Sequence, residues 1–286
     1  DGLQSEAPVA PAQRAALAVA LADAGLRQIE AVSFVSPKVL PSMAGADEVV
    51  AALPRRDAVT WWALVPNAKG AELALAAGMR HLTVTVSASE GYSQKNVGRS
   101  TDDAVAGLAQ IATVANGAVL DVVISCCFGS PFDDVGEASP VVDIVGRALT
   151  VMPAAAITLA DTTGTATPRR VREVIDAVRS QHPGVDLGMH LHDTRGTALA
   201  NALAGIELGV HRFDTAVGGL GGSPFAPGAG GNLATEDLVL VADDLGLDTG
   251  VDLAALLAVS RSLAELVGHS VPSRVSAAGG LPGFGR

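Results

Sequence analysis

The chain of 286 residues has little cysteine, few aromatic residues, few basic residues and no long apolar run. Its two cysteines, Cys126 and Cys127, are neighbours in the sequence. Adjacent residues cannot reach ordinary disulfide geometry without strain, so no disulfide framework is expected and the cytoplasm is the natural compartment. The pair reads as two small apolar residues of a strand. No apolar stretch approaches the roughly 18 residues that span a bilayer, and no basic start leads into a hydrophobic signal core, so no membrane association is expected. Lysine and arginine total 19 against 30 acidic residues, for a net charge of -11. That balance excludes nucleic acid as a partner, because neutralising phosphates needs clustered basic side chains. A single phosphorylated small molecule remains compatible with it, since a few arginines or helix N-termini suffice to hold one.

What the chain does have is 49% hydrophobic residues and 32 glycines, the composition of a compact α/β protein. Seven β-branched runs stand at 27–34, 59–66, 81–88, 119–128, 156–161, 185–192 and 211–217. Between them lie alanine-rich segments of helical spacing. One is "TPRRVREVIDAVRSQ", residues 167–181, where Thr167 suits an N-cap and Pro168 the first helical position. Alternating strand and helix implies parallel strands with right-handed crossovers, either in a doubly wound sheet or in a (β/α)8 TIM barrel. Neither G-x-G-x-x-G nor G-x-x-x-x-G-K-[ST] occurs, which counts against the first. Polar residues instead gather at the C-terminal ends of strands: Glu30 and Ser33, Asp161 and Thr162, His190 and His192. In the barrel those ends meet at one mouth, where the chemistry of this fold is found. The barrel is the expectation, as a single domain over 1–286 with a C-terminal helical segment from about 251. Its first strand is expected upstream of residue 1.

The stretch "MHLHDTRGTALAN", residues 189–201, carries two histidines one residue apart. On a strand such residues point to the same side, so His190 and His192 can present both imidazoles to one site. Neutral imidazole is a common ligand of divalent metals, yet an isolated pair serves equally well as polar packing at a strand end.

Two further stretches bracket the pair: "DGLQSE" at the start and "GGLGGSPFAPGAGGNLATED" at 218–237. With "IEAVSFVSPK", "SASEGYSQKN" and "LADTTGTATP", in that order, they resemble the hydroxymethylglutaryl-CoA lyase family. That family belongs to the metal-dependent TIM-barrel lyases and aldol-type synthases that include isopropylmalate and homocitrate synthases. The resemblance implies that Asp1, His190, His192 and Asn232 ligate one divalent cation, Mg2+ or Mn2+. It also implies an acyl-CoA thioester as substrate, first of all 3-hydroxy-3-methylglutaryl-CoA, cleaved by a retro-aldol (Claisen-type) reaction to acetoacetate and acetyl-CoA. By the same resemblance Glu30 and Asp161 support catalysis, while Gln4, Ser33, Asn96 and Thr162 are candidates to contact substrate. Asp193 is a candidate to orient the second histidine, or else a turn contact. The glycine-rich loop from Gly218 to Asn232 is expected to close over the bound thioester. A homodimer is expected from the apolar helices of the barrel.

The match departs from the family at Ser223, which stands where the family has a cysteine. A thiol, with a reference pKa of about 8.5, exchanges protons near neutral pH far more readily than a hydroxyl. The substitution points to a direct catalytic role for Ser223 with lowered lyase activity, to another 3-hydroxyacyl-CoA such as citramalyl-CoA in place of 3-hydroxy-3-methylglutaryl-CoA, to proton transfer by His190, Glu30 or a metal-bound water instead, or to a non-catalytic binding homologue. The family also carries an arginine immediately before its metal-binding aspartate, so an arginine is expected upstream of Asp1.

Overall fold

Residues 2–132, 138–222 and 230–279 are described by the computed structural model. Seven strands follow the chain: β1 (Gln28–Ser33), β2 (Thr60–Val65), β3 (His81–Ser87), β4 (Val119–Ser125), β5 (Ala156–Asp161), β6 (Leu187–Leu191) and β7 (Arg212–Asp214). Each lies within one of the seven β-branched runs. Neighbours in sequence are hydrogen-bonded neighbours in the sheet, all parallel, from β1 at one edge to β7 at the other. This is the strand order of a (β/α)8 barrel with one strand fewer. The sheet is strongly curled: Arg212 Nη1 on β7 reaches Asp121 Oδ2 on β4 at 3.1 Å. In a flat sheet three strand spacings would hold those backbones roughly 14 Å apart, beyond such a contact.

Helices cover the outer wall: α1 (Pro11–Asp23), α2 (Ala46–Ala52), α3 (Ala68–Ala76), α4 (Glu90–Val97), α5 (Thr101–Val114), α6 (Ser139–Val151), α7 (Pro168–Gln181), α8 (Ala198–Glu207), α9 (Thr235–Asp244), α10 (Leu253–Val267) and α11 (Arg274–Ala278). The helical stripes are legible residue by residue. Val141, Ile144, Val145 and Ala148 on α6, and Val171, Val174, Ile175 and Val178 on α7, are the buried residues of those helices. Both sets follow the i, i+3, i+4, i+7 spacing of one helical face. They pack on Val122, Ile124, Ile157, Leu159, Leu187 and Met189, the outward residues of the central strands. Thr167 caps α7 as expected, its side chain accepting from the Arg170 amide.

The inner face is polar, and its phase is set locally. Between Glu30 and Val32 the β1–β2 register slips by one residue, so Glu30 pairs with Trp62 and Ser33 with Leu64. Trp62 and Leu64 alternate with Ala63 and Val65, which belong to the helix-side core. The bulge therefore brings Glu30 and Ser33, three residues apart, onto the same inner face. β4 ends at Ser125, short of the 119–128 run. Cys126 has φ +60 and turns the chain out of the sheet, so the two buried, free cysteines sit just past the strand and not within it.

The first residues cross the mouth between the two sheet edges. Gln4 Nε2 donates to Gly222 O at 3.2 Å, beyond β7, while Ser42 Oγ, beyond β1, donates to Gln4 O at 2.7 Å. α10 packs against α1 through Leu256, Leu257, Leu17 and Leu21. Among the described residues no helix is long and apolar enough to cross a membrane.

Candidate functional site

β6 delivers the two histidines to the mouth. His190 Nε2 faces His192 Nε2 at 3.2 Å, with the rings tilted by 45°. Each ring has its other nitrogen engaged by an acceptor. His192 Nδ1 donates to Gly230 O at 3.1 Å, and His190 Nδ1 lies 3.5 Å from Asp214 Oδ2. An imidazole whose Nδ1 carries the proton presents a lone pair at Nε2. With both rings neutral two such lone pairs point at one another, an arrangement that a cation relieves, whereas a proton on His190 makes the contact an Nε2–H···Nε2 hydrogen bond. Burial and the neighbouring ring push the His192 pKa down to about 3, so it stays neutral. Burial works the same way on His190 but is outweighed by Asp214 and Glu30, which hold its pKa above the ordinary histidine value.

The exit of the glycine-rich loop is clasped by the residues that follow β6. Asp193 N donates to Gly231 O at 2.9 Å, Gly230 N donates to Thr194 Oγ1 at 2.9 Å, and His192 bridges to Asn232 in antiparallel fashion. Side chains paired in this way lie on one face, with Cβ atoms about 5 Å apart. Asn232 is thereby set beside His192. Its Nδ2 donates to Leu220 O at 2.8 Å, and its buried Oδ1 has no hydrogen-bond partner among the described residues. Asp193 is a turn residue: its Oδ1 accepts from Ala198 N at 3.0 Å at the start of α8.

Among the described residues three acids surround the pair. Asp214, directly opposite His190 in the β6–β7 register, was not singled out in the sequence, although period two from Arg212 along "RFD" carries that signal. Glu30 is held above the usual carboxylate range by loss of hydration and by Asp214, against the pull of the Thr83 hydroxyl and His190. Asp161 is fully buried, and loss of hydration pushes its pKa up to about 6 despite hydrogen bonds from Thr165 N and Ala166 N to Oδ1. Its Oδ2 is buried without a partner among the described residues.

The remaining sequence candidates divide. Gln4 is drawn to the loop base at Gly222; Thr162 Oγ1 accepts from Cys126 N at 3.1 Å; Ser33 is buried with its Oγ unpartnered among the described residues. Asn96 lies on α4, and none of its contacts among the described residues joins it to the histidines. Asp1 and Ser223 lie outside the described residues. Among the described residues no group of three or more His, Cys, Asp or Glu is disposed to hold a metal ion; the cluster here is two imidazoles and one amide.

The HMGL-like family model matches residues 1–263. The chain belongs to the HMGL-like family. It is 42% identical over 282 residues to hydroxymethylglutaryl-CoA lyase of Pseudomonas mevalonii, covering 97% of this chain and 93% of that one. It is also 40% identical over 292 residues to (R)-citramalyl-CoA lyase of Chloroflexus aurantiacus, covering 98% and 92%. A solved structure of an HMG-CoA lyase from Acinetobacter baumannii, with coenzyme A and 3-methylmalate, superposes with a TM-score of 0.94 at 38% identity, over 99% of this chain and 93% of that one. Like its relatives in the HMGL-like family, the protein is a carbon–carbon lyase on the barrel-type sheet described above.

Membership of the HMGL-like family implies a divalent-metal-dependent mechanism, and the residues present fit such an ion. The two facing Nε2 atoms and the orphaned Asn232 Oδ1 are neutral nitrogen and oxygen donors, the set that suits a divalent cation binding imidazole and carbonyl oxygen. The Asp214 and Gly230 contacts orient the two rings, as acceptors do behind metal-ligating histidines.

Proposed function

We propose that the protein cleaves the C2–C3 bond of a 3-hydroxyacyl-CoA thioester by a metal-assisted retro-aldol reaction, with citramalyl-CoA standing beside 3-hydroxy-3-methylglutaryl-CoA as the substrate. The observation that carries the reading is the pair of Nε2 atoms meeting at 3.2 Å with both Nδ1 positions occupied. His190, His192 and Asn232, joined by Asp1, would hold Mg2+ or Mn2+, which when bound would supply positive charge that favours loss of the 3-hydroxyl proton.

Asp161 takes the hydroxyl proton at Oδ2; a carboxyl of pKa about 6 is suited to that exchange near neutrality. As the proton leaves, C3–O becomes a carbonyl and the C2–C3 electron pair passes to C2, with its charge shared by the thioester oxygen. A proton returned to C2 yields acetyl-CoA, and the C3 fragment departs as acetoacetate or pyruvate. Ser223 contributes to that second proton transfer. Glu30, itself held toward the protonated form, steadies the hydroxyl beside Asp161. Gln4, Ser33, Asn96 and Thr162 contact the thioester. Citramalyl-CoA is shorter than 3-hydroxy-3-methylglutaryl-CoA by one methylene between the carbinol carbon and the carboxylate. Relatives with each activity are about equally similar to this chain. One methylene is worth roughly 10- to 200-fold in kcat/KM.

The test is acetyl-CoA release from each thioester with added Mg2+ or Mn2+, for the natural chain, Ser223→Cys and His192→Ala. Turnover of at least one thioester that needs the cation and vanishes in His192→Ala is the expected result. Binding without turnover of either would sink the reading. The same proposal includes a single domain, supported by α10 packing on α1, a homodimer and a cytoplasmic location. Some relatives are mitochondrial, so location is to be checked by imaging.

A further inference from the structure

Two adjacent acids that take no part in the chemistry above are buried at the start of α9: Glu236, with no exposure, and Asp237 at 8%. Buried carboxylates are costly unless fully hydrogen-bonded, and both are well supplied. Glu236 accepts from Gly218 N with both oxygens, each at 3.0 Å, and from Ser260 Oγ on α10 at 2.7 Å. Asp237 accepts from Ser273 Oγ at 2.7 Å and from the Arg274 and Val275 amides. Ser273 in turn donates its backbone N–H to Gly218 O at 2.9 Å. The two acids thus hold Gly218 from both sides, one through its N–H and the other through its carbonyl.

Gly218 begins a tight turn. It and Gly219 have φ of +72 and +73, and a Cβ on Gly218 would meet the Val271 side chain at 2.9 Å. Two residues on, Leu220 presents the carbonyl that receives Asn232 Nδ2 at 2.8 Å. An amide has one oxygen and one nitrogen, so fixing the nitrogen fixes where Oδ1 points. A continuous path therefore runs from α10 and the segment before α11, through the acids and the Gly218–Leu220 turn, to the Asn232 amide.

We propose that Glu236 and Asp237 are positioning residues for the Asn232 amide, clamping the Gly218–Leu220 turn so that Oδ1 faces the metal-binding pair of imidazoles. The proposal rests on the metal-holding reading of Asn232, and the test separates the two. Mn2+ binding to the full-length protein without substrate is titrated by the electron paramagnetic resonance of the free ion. The variants are Asn232→Ala, Glu236→Ala, Glu236→Gln and Ser260→Ala, with Leu108→Ala on α5 as a destabilised control outside the path.

Glu236→Ala is expected to raise the Mn2+ Kd about 10-fold, within the range seen when groups behind metal ligands are removed. Glu236→Gln, which keeps an acceptor for Gly218 N, is expected to restore the Kd to within about 3-fold of the natural value. Ser260→Ala, which leaves Glu236 in place, shifts it by a smaller factor in the same direction and serves if Glu236→Ala does not fold. Leu108→Ala lowers the unfolding midpoint without moving the Kd. If Asn232→Ala weakens Mn2+ binding while Glu236→Ala and Ser260→Ala do not, the clamp is overturned and the metal reading stands. If Asn232→Ala itself leaves Mn2+ binding unchanged, the metal reading of Asn232 fails, and the clamp with it.

Discussion

The floor and the mouth of the barrel are both lined by polar side chains, yet they are satisfied in opposite ways. On the floor, Asp121, Thr158 and Arg212 complete one another. Thr158 Oγ1 donates to Asp121 at 2.8 Å, Arg212 Nη1 donates to the same carboxylate at 3.1 Å, and Arg212 Nε and Nη2 reach Asp186 and the Ile157 carbonyl. At the mouth, two imidazole nitrogens face each other, and Asp161 Oδ2 and Asn232 Oδ1 are buried with no partner among the described residues. A buried polar cluster that closes on itself contributes to holding a fold. One left open sacrifices stability for something that must bind there. The same inward alternation of strand residues supplies both, so only the pairing distinguishes scaffold from site.

That contrast is most exposed to His192→Ala. Activity is expected to fall on the order of 1,000-fold, as when a preorganised charge-stabilising group is lost, while the metal-free protein unfolds at an unchanged or higher temperature. A large fall in that temperature would show the histidine to be scaffold. Arg212→Met does the reverse. It strands Asp121 in the interior and is expected to cost about 3 kcal/mol in denaturant unfolding, with kcat/KM of the folded fraction changed by less than about 10-fold. Asp161→Asn gives the sharpest readout, because its effect on stability depends on pH. The folded-state pKa is raised from 3.8 to about 6, so the native protein holds this proton more tightly than the unfolded chain. Ionisation then costs stability as pH rises between about 4 and 6, and the full cost is present above that window. Asparagine cannot ionise and can keep the Oδ1 bonds. The variant should therefore gain about 3 kcal/mol at pH 8, gain nothing at pH 4, and lose turnover. An equal gain at both pH values would remove the open carboxylate from the comparison.

Much of this was legible beforehand. The strand runs, the Thr167 cap and the α7 stripe are local, set by side-chain period and by which atoms can reach a free amide. The histidine pair was legible for the same reason, since period two is a property of any strand. Asp214 was missed because its meaning depends on register with another strand, and Glu236 and Asp237 because nothing near them in sequence shows which turn they hold. The bulge that turns Ser33 inward and the φ of Cys126 that ends β4 early were likewise invisible. A single inserted or left-handed residue changes the phase without changing the composition.

The sequence alone determined the alternation of strand and helix, the polar inner residues of each strand and the family to which they belong, because these follow from short-range periodicity and recognisable stretches. Tertiary structure decided which polar groups close on one another and which stay open. Curling the sheet is what brings β4 against β7 on the floor and leaves β6, Asn232 and Asp161 at the mouth with atoms unmatched. Distances of that kind depend on the curvature of the whole sheet, which no local run of residues encodes.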